Sequence, residues 1–190
     1  MEKAYIEDKK FESVDFSGKA LPEAEYDNCS FINCNFSNAD LYKVVFSECE
    51  FNGCNLSMAK LEKTAFKDIQ FKDCKLLGLH FENCDEFLFV VNFENCTLDL
   101  SSFYKRKLKK ANFKNCSLRE VDFVEADLSA SVFDNCDLAK AIFQNTILEK
   151  ADFRSSNNYS IDPDLNKMKK AKFSMPAVIG LLDKYDIEIE

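Results

Sequence analysis

Apolar residues stand at five-residue intervals along this chain, with a single change of register near residue 85. Thirty successive positions of this pattern are apolar, although apolar residues make up only 46% of the composition. The first series runs from Ile6 to Phe81 and the second from Leu88 to Phe153, and sixteen of the nineteen phenylalanines fall on them. The chain is therefore built from an internal repeat whose unit is a quintet.

A period of five residues fits neither an α-helix nor a flat strand, whose side chains repeat every 3.6 and 2 residues. If the chain bends once per quintet, each central residue points to a common axis and successive coils pair as parallel strands. The residue two before each centre is usually small, as at Cys29, Ala39, Val44 and Ser131. The pattern thus predicts a solenoid with a Phe/Leu axis and a second, narrower inward position.

One five-residue pattern recurs in segments such as CNFSN, ADLYK, CNLSM, ANFKN, ADLSA and CDLAK. A small residue comes first, the second residue is often Asn or Asp, the third is Phe or Leu, and two variable, mostly polar residues follow. In these segments the chain resembles the pentapeptide-repeat family, over residues 4 to about 155. The resemblance implies an all-β fold, a right-handed quadrilateral parallel β-helix with four quintets per coil. Thirty quintets would make about seven and a half coils, or a rod roughly 36 Å long at the spacing of parallel strands.

The repeat predicts two parts: a β-helix over residues 1–155, with a register slip at about 82–88, and a cap over residues 156–190. We expect the slip, where Glu86 replaces a centre, to be a bulge or small loop in which Phe87 and Phe89 are exposed or cover the gap. In the cap, Ser174-Met175-Pro176 is a helix-start signal before AVIGLLDKY, and IEIE suggests a short terminal strand. The predicted apolar face of the cap, which closes the solenoid or pairs with a second copy, consists of Val178, Ile179, Leu181, Leu182 and Ile187.

The nine cysteines occupy the small inward position that Ala, Val and Ser fill elsewhere, so we interpret them as packing residues rather than disulfides or metal ligands. The single histidine, His80, precedes a centre at an outward position and has no nucleophile or carboxylate set around it in the pattern. Four glycines cannot assemble a phosphate-binding loop. The sequence predicts no enzyme, no cofactor and no metal.

The N-terminal segment MEKAYIEDKK has no apolar run after a basic stretch, and the longest apolar run, FLFVV, is far too short to cross a bilayer. We therefore expect a cytoplasmic protein without membrane association.

Charge is distributed unevenly over the predicted faces. In residues 1–86, the face centred on Ile6, Tyr26, Phe46 and Phe66 has six acids and one base, a net of −5, whereas each of the other three faces sums to zero. The acids of this stripe are Glu7, Asp8, Glu25, Asp27, Glu48 and Asp68, and we call them the acidic stripe. Four coils span about 19 Å, which in duplex DNA holds about eleven phosphates. The acidic stripe has about half that charge density, so it is either a diluted imitation of a phosphate backbone or an ordinary solvated face.

If the slip preserves the order of faces, the same side continues into a basic patch made of Arg106, Lys107, Lys109 and Lys110. Direct nucleic-acid binding there conflicts with the overall pI near 4.9 and with the absence of interleaved aromatic residues. We expect a local partner contact or pairing with nearby acids.

The tail NYSIDPDLNKMKKAKFS and the following DKYDIEIE resemble the C-terminal segment of quinolone-resistance (Qnr-type) pentapeptide-repeat proteins. That resemblance implies a homodimer formed through the tail, and a rod that mimics B-form DNA, binds DNA gyrase and topoisomerase IV and protects them from inhibitors. Only the slip near Glu86 stands where several of those proteins have longer loops. The alternative is a pentapeptide-repeat scaffold for another protein partner, which would bind through the basic patch or the bulge.

Overall fold

The computed structural model describes residues 4–175 and 177–188, and within them eleven short strands pair in parallel to form two sheets. The first sheet contains β1 (Ala4–Glu7), β3 (Ala24–Asp27), β5 (Val45–Ser47) and β7 (Ala65–Lys67). The second contains β2 (Lys10–Glu12), β4 (Ser30–Ile32), β6 (Glu50–Asn52), β8 (Ile69–Lys72), β9 (Val91–Glu94), β10 (Asn112–Lys114) and β11 (Val132–Asp134).

Each coil takes twenty residues, because Phe31 is in register with Phe11 and with Phe51. The remaining two sides of the coil are held by isolated parallel bridges such as Asp15 to Asn35 and Ala20 to Asp40. Four quintets therefore make one coil. The predicted four-sided parallel β-helix is confirmed.

The axis is filled by the central residues, which stack in columns. The rings of Phe11 and Phe31 are 4.9 Å apart and nearly parallel, and the Phe31 and Phe51 rings are 4.8 Å apart. Neighbouring columns meet edge to face, as Phe31 does with Phe36 at 5.5 Å. Both geometries are favoured by the ring quadrupole, so a small unit with one large side chain can close-pack without a globular core.

Residues at the small inward position form hydrogen bonds as well as packing contacts. Thr64 Oγ1 and Ser131 Oγ donate hydrogen bonds of 2.8 and 2.7 Å to the carbonyl oxygens of Leu41 and Leu108, which belong to central residues. Cysteine thiols make the same contact, for example Cys54 Sγ to the carbonyl oxygen of Phe31. All nine cysteines are free and buried, and residues 4–175 and 177–188 contain no group of side chains arranged for a metal ion.

After most quintets the chain turns through a residue with positive φ, two positions after the centre, which we call the corner residue. Asn28, Asn33 and Asn38 adopt φ values of 49° to 55°, and Gly18 occupies the same position at 62°. Asparagine tolerates this left-handed conformation better than most residues, and the amide of Asn28 also donates a hydrogen bond to Asp8 of the preceding coil. These corners let every quintet begin a new side.

The register slip lies on the side that bears the acidic stripe. A 3₁₀ helix, Phe81–Asn83, precedes it, and pairing of Ile69 with Val91 shows that this coil has two extra residues. Leu88, expected at a centre, is instead 59% exposed with φ +56°, and Phe89 fills the core. The prediction for Leu88 was wrong because the two extra residues lie within this side, before the register resumes. Phe87 is exposed, and we call residues 84–90 the bulge.

Backbone pairing extends beyond the quintet pattern. Bridges join Ile147 to Lys167 and Asp152 to Lys172, and the ring of Phe173 stacks on Phe153 at 5.3 Å. The division at residue 155 remains a prediction, and the ladder passes through it.

Two 3₁₀ helices, Ala177–Leu181 and Asp183–Tyr185, follow the last coil in place of the expected single helix. Ser174 does not cap them, since its hydroxyl donates to the carbonyl oxygen of Arg154, and Pro176 lies outside the described residues. Residues 187–188 are not in a strand, and the other half of the expected IEIE strand lies outside the described residues.

Candidate protein-binding face

The acidic stripe lies on the four-stranded sheet, and we call that side of the rod the first face. Tyr5 is in register with Glu25, and Glu7 is in register with Asp27. In the next two coils the position of Asp27 is taken by Ser47 and then by Lys67. Side chains in register are about 4.8 Å apart, so the acids repeat along the rod at the spacing of parallel strands.

The remaining acids of the stripe stand at corner residues. Asp8, Glu48 and Asp68 have positive φ and are exposed, and Asn28 occupies this position in the second coil. Asn28 Nδ2 donates a 2.7 Å hydrogen bond to Asp8 Oδ1. The structure thus brings all six predicted acids to one side.

Two contacts on this face were not anticipated from the sequence. The Tyr5 hydroxyl donates a 2.7 Å hydrogen bond to Asp27, and this bond to a carboxylate is the main cause that raises the pKa of Tyr5 to about 12. Lys67 Nζ lies 3.9 Å from Glu25. Both partners lie on the same face, one or two coils away but two positions out of register, so the twenty-residue period indicates the shared face and not the pairs themselves.

Arg106, predicted as part of the exposed basic patch, is buried. It occupies a small inward position, its guanidinium donates a 2.8 Å hydrogen bond to the carbonyl oxygen of Asp85, and its Nε has no partner. The guanidinium carbon lies 4.3 Å from the centroid of the Phe89 ring. Burial lowers the pKa of Arg106. The bulge leaves room that a small residue could not fill, and for this physical reason the arginine turns inward.

The three lysines of the basic patch are exposed, and Lys109 Nζ lies 3.2 Å from Asp127. A cavity of about 60 Å³ opens between the patch and the bulge, lined by Glu86, Phe89, Lys105, Arg106 and Lys107. The patch and the acidic stripe share the first face, because bridges at His80 to Ser102 and Lys75 to Thr97 carry the neighbouring sides across the slip in unchanged order.

The residues predicted for the cap divide into two groups. Leu181 and its neighbour Ala177 pack against the end of the core, and Val178 is half-buried. Ile179, Leu182 and Ile187 are exposed and border a shallow depression together with Asp183 and Asp186. The structure therefore assigns the first group to closing the solenoid and leaves the second group on the surface.

The cap is fastened by polar contacts. Lys184 forms ion pairs with Asp162 and Asp164, and the amide of Ile161 donates to the carbonyl oxygen of Gly180 at 2.9 Å. Lys184 is also the main cause that lowers the pKa of Asp162.

His80 is exposed, and its Nδ1 is 2.9 Å from Glu82 Oε1. Neither of them has a hydrogen bond to a cysteine within the described part of the chain, so no nucleophile and base are paired there. None of the helices in that part is long and apolar enough to cross a membrane.

Comparison with known proteins places this geometry in a family. A model described as the pentapeptide repeat region matches residues 24–86 and 87–160. Two solved structures of trypsin-treated variants of QnrB1, a plasmid-mediated fluoroquinolone resistance protein, share the fold: one has a TM-score of 0.61 at 18% identity and covers 100% of both chains, and the other has a TM-score of 0.52 at 19% identity and covers 95% of this chain and 100% of its own.

HetL, a pentapeptide-repeat protein from the cyanobacterium Nostoc involved in regulating heterocyst differentiation, aligns at a TM-score of 0.46 and 16% identity, with 91% of this chain and 90% of its own covered. No curated protein sequence matches this chain. The family model spans well over half of the residues, and the coil geometry agrees with it: the chain belongs to the pentapeptide-repeat family.

Proposed function

We propose that this protein is a non-enzymatic, cytoplasmic DNA mimic that binds a type II topoisomerase, DNA gyrase or topoisomerase IV, and modulates it or protects it from inhibitors such as quinolones. One observation carries the proposal: six acids and a single base share one side of a narrow rod over four coils. The fold is shared with QnrB1, which is a fluoroquinolone resistance protein, and this likeness supports the choice of a type II topoisomerase as the partner.

The physical basis is electrostatic. A surface that binds duplex DNA presents basic side chains to phosphates in rows, and a rigid row of carboxylates can occupy the same surface. The acidic stripe is rigid because its residues belong to paired strands or to corners of the coil. Binding of this kind would weaken as salt concentration rises.

Homodimer formation through the C-terminal segment is part of this proposal. Ile179, Leu182 and Ile187 are exposed apolar residues at the end of the rod, and Met175 beside them is 85% exposed. Apolar side chains that converge on one end of a rod favour pairing with a second copy. Such a pair would double the length of the rod.

A gyrase supercoiling assay, with and without a quinolone, tests the proposal. Wild-type protein should inhibit supercoiling or preserve it against the drug. Reversing the charges of Glu25, Asp27, Glu48 and Asp68 should abolish either effect. The matched control reverses Glu12, Glu50, Glu62 and Asp73, which lie on other sides of the first coils, and it should retain the effect. If wild-type protein neither inhibits nor protects over a wide concentration range, the proposed function is wrong.

The bulge supports a second candidate, a scaffold for another protein partner. Phe87 is 69% exposed in the bulge, and Val90 of the bulge lines a groove together with Lys107, Lys109 and Lys110, a combination that suits an acidic and apolar surface. In that case Phe87→Ser should abolish capture of the partner, whereas reversal of the acidic stripe should not affect it.

A further inference from the structure

The first face has opposite charge at its two ends. Beyond the bulge, its quintets centred on Leu108, Leu128, Leu148 and Met168 contain seven lysines and two acids, a net of +5 when the buried Arg106 is left out. The lysines are Lys107, Lys109, Lys110, Lys150, Lys167, Lys169 and Lys170, and the acids are Asp127 and Glu149. Bridges from Lys107 to Asp127, on to Ile147 and on to Lys167 hold these quintets in register. The positive end thus equals in size the net of −5 on the first four coils.

The corner residues of this face, together with Val90 of the bulge, show the same reversal in a single column. Val90 comes directly before Val91, which pairs with Ile69, and the pairing of Phe93 with Phe113 sets Val90 level with Lys110. From the first coil to the last the column reads Asp8, Asn28, Glu48, Asp68, Val90, Lys110, Ala130, Lys150 and Lys170. Val90 is the fifth of nine residues, at the midpoint.

The middle of the face exposes three apolar side chains, and two exposed acids, Asp85 and Glu86, precede them in the bulge. Phe87, Leu88 and Val90 are 69%, 59% and 48% exposed, because the two extra residues of this coil push the bulge outward. An exposed apolar centre between two charged ends has the composition of a protein interface, with its apolar core and polar rim.

The charges of the face are mostly not paired within the chain. Among the residues that the structure describes, the ion pairs on this face are Lys67 with Glu25 and Lys109 with Asp127. Most of the carboxylates at one end and most of the ammonium groups at the other are therefore open to a partner.

We propose that the first face binds the first face of a second copy of this chain, with the two rods antiparallel and a two-fold axis at Val90. Such an axis reverses the order of the column, so Asp68 faces Lys110 of the second copy and Asp8 faces its Lys170. The apolar centre meets itself, as an isologous interface requires. A parallel arrangement would instead set acids against acids.

The dimensions indicate a weak, salt-dependent pair. Nine levels span eight spacings of about 4.8 Å, or about 38 Å, and a strand of three residues is about 10 Å wide. Each copy would bury roughly 400 Å², about half of what a standard stable interface buries per partner. We therefore expect association at high protein concentration and low salt.

This inference does not rest on the proposed function, and the pair differs from a dimer formed through the cap. It would cover the acidic stripe, so a second copy and a topoisomerase would compete for the same face. The tests below contain no topoisomerase and score contact between first faces only, so their failure would leave topoisomerase binding and the cap dimer standing.

Disulfide trapping tests the geometry. The nine native cysteines are buried, so a cysteine introduced on the surface supplies the reactive thiol. Val90→Cys should give a covalent dimer under mild oxidation, since position 90 meets its own copy at the axis. The matched control is Val132→Cys, which is similarly exposed at 41% but lies on the neighbouring side, and it should form no covalent dimer. Equal trapping of both variants would overturn the proposal.

A charge swap tests the pairing itself, measured by sedimentation velocity at low salt. Asp68→Lys and Lys110→Glu should each weaken the dimer about tenfold, because symmetry uses the pair twice and replaces attraction by repulsion. The double variant, with both changes, should restore it. Thermal melting verifies that each variant is folded.

Three outcomes would overturn the proposal: no association of first faces up to millimolar protein, shown by the absence of a covalent Val90→Cys dimer; association that the single charge variants leave unchanged at every salt concentration; or binding of duplex DNA to the basic end in place of first-face association.

Discussion

The guanidinium of Arg106 lies over the ring of Phe89, 4.3 Å from its centroid, and ties the bulge to the coil that follows. In the next coils the position of Arg106 is occupied by Ala126 and Thr146, which are small. The extra two residues of the bulge thus create a space, and a long cation with an aromatic partner fills it. The bulge is held by this contact and by the hydrogen bond to the carbonyl oxygen of Asp85.

Arg106→Ala should therefore destabilise the protein by about 2 kcal/mol, because a buried carbonyl loses its donor and a cation–π contact is lost. Amide hydrogen exchange should rise in residues 84–90 before it rises elsewhere. Arg119→Ala is the matched control: Arg119 is exposed, and its ion pair with Asp137 at 3.8 Å contributes little. A uniform rise in exchange along the rod would contradict a local role.

Phe113→Ala should lower the free energy of unfolding by about 3–5 kcal/mol, as for other buried phenylalanines. Its ring stacks on Phe93 at 5.2 Å and on Phe133 at 4.9 Å, so the truncation interrupts a column. Phe87→Ala, at an exposed position, should change the free energy of unfolding by no more than about 0.5 kcal/mol. Chemical denaturation of dilute protein at high salt measures the free energy of unfolding of both variants. Similar losses in the two variants would mean that the stacked columns are not the main source of stability.

The cysteines should be inert in the folded protein. Burial is the main cause that raises the pKa of Cys49 from 9.0 to about 12, so its thiol stays protonated at neutral pH. Between pH 9 and 12 the unfolded chain loses this proton and the folded chain keeps it, so stability should fall as pH rises through that range. Thiol titration with and without denaturant measures the protection.

Cys116→Ser should fold, since Ser131 and Ser156 already fill the same position and donate 2.7 Å hydrogen bonds to central carbonyl oxygens. Cys116→Leu is the contrasting variant, and overpacking should cost it about 1–3 kcal/mol. Rapid modification of native thiols, or failure of the serine variant to fold, would contradict a packing role.

Gly180→Ala should detach the cap. A Cβ atom at Gly180 would overlap the carbonyl oxygen of Tyr159, so the first 3₁₀ helix of the cap would have to move from the last coil. We expect a loss of about 2 kcal/mol and faster hydrogen exchange at residues 177–185. Gly18→Ala is the control. A Cβ atom at position 18 would meet no neighbouring atom, so the variant should lose only about 1 kcal/mol because alanine disfavours a positive φ. Unchanged exchange in the cap would show that it tolerates the added methyl group.

Much of the architecture could be predicted because the repeat is local. Each quintet contains its own central residue, small residue and corner, so the solenoid axis and the inward position of all nine cysteines followed from spacing, and the four-sided coil followed from the resemblance to the pentapeptide-repeat family. The acidic stripe followed once each quintet was assigned to one of the four sides, since residues twenty apart lie on one side. The functional assignment did not follow from it, because charge on a face does not name a partner.

The sequence by itself determined the coil, its axis and the side on which each charge of a regular quintet lies, because a five-residue unit repeats one local conformation. Tertiary structure decided what happens where the unit breaks. It put Phe89 rather than Leu88 in the core, turned Arg106 inward and continued the ladder to Lys172. In these places a side chain's position depends on the space left by residues some twenty positions away, and local spacing does not contain that information.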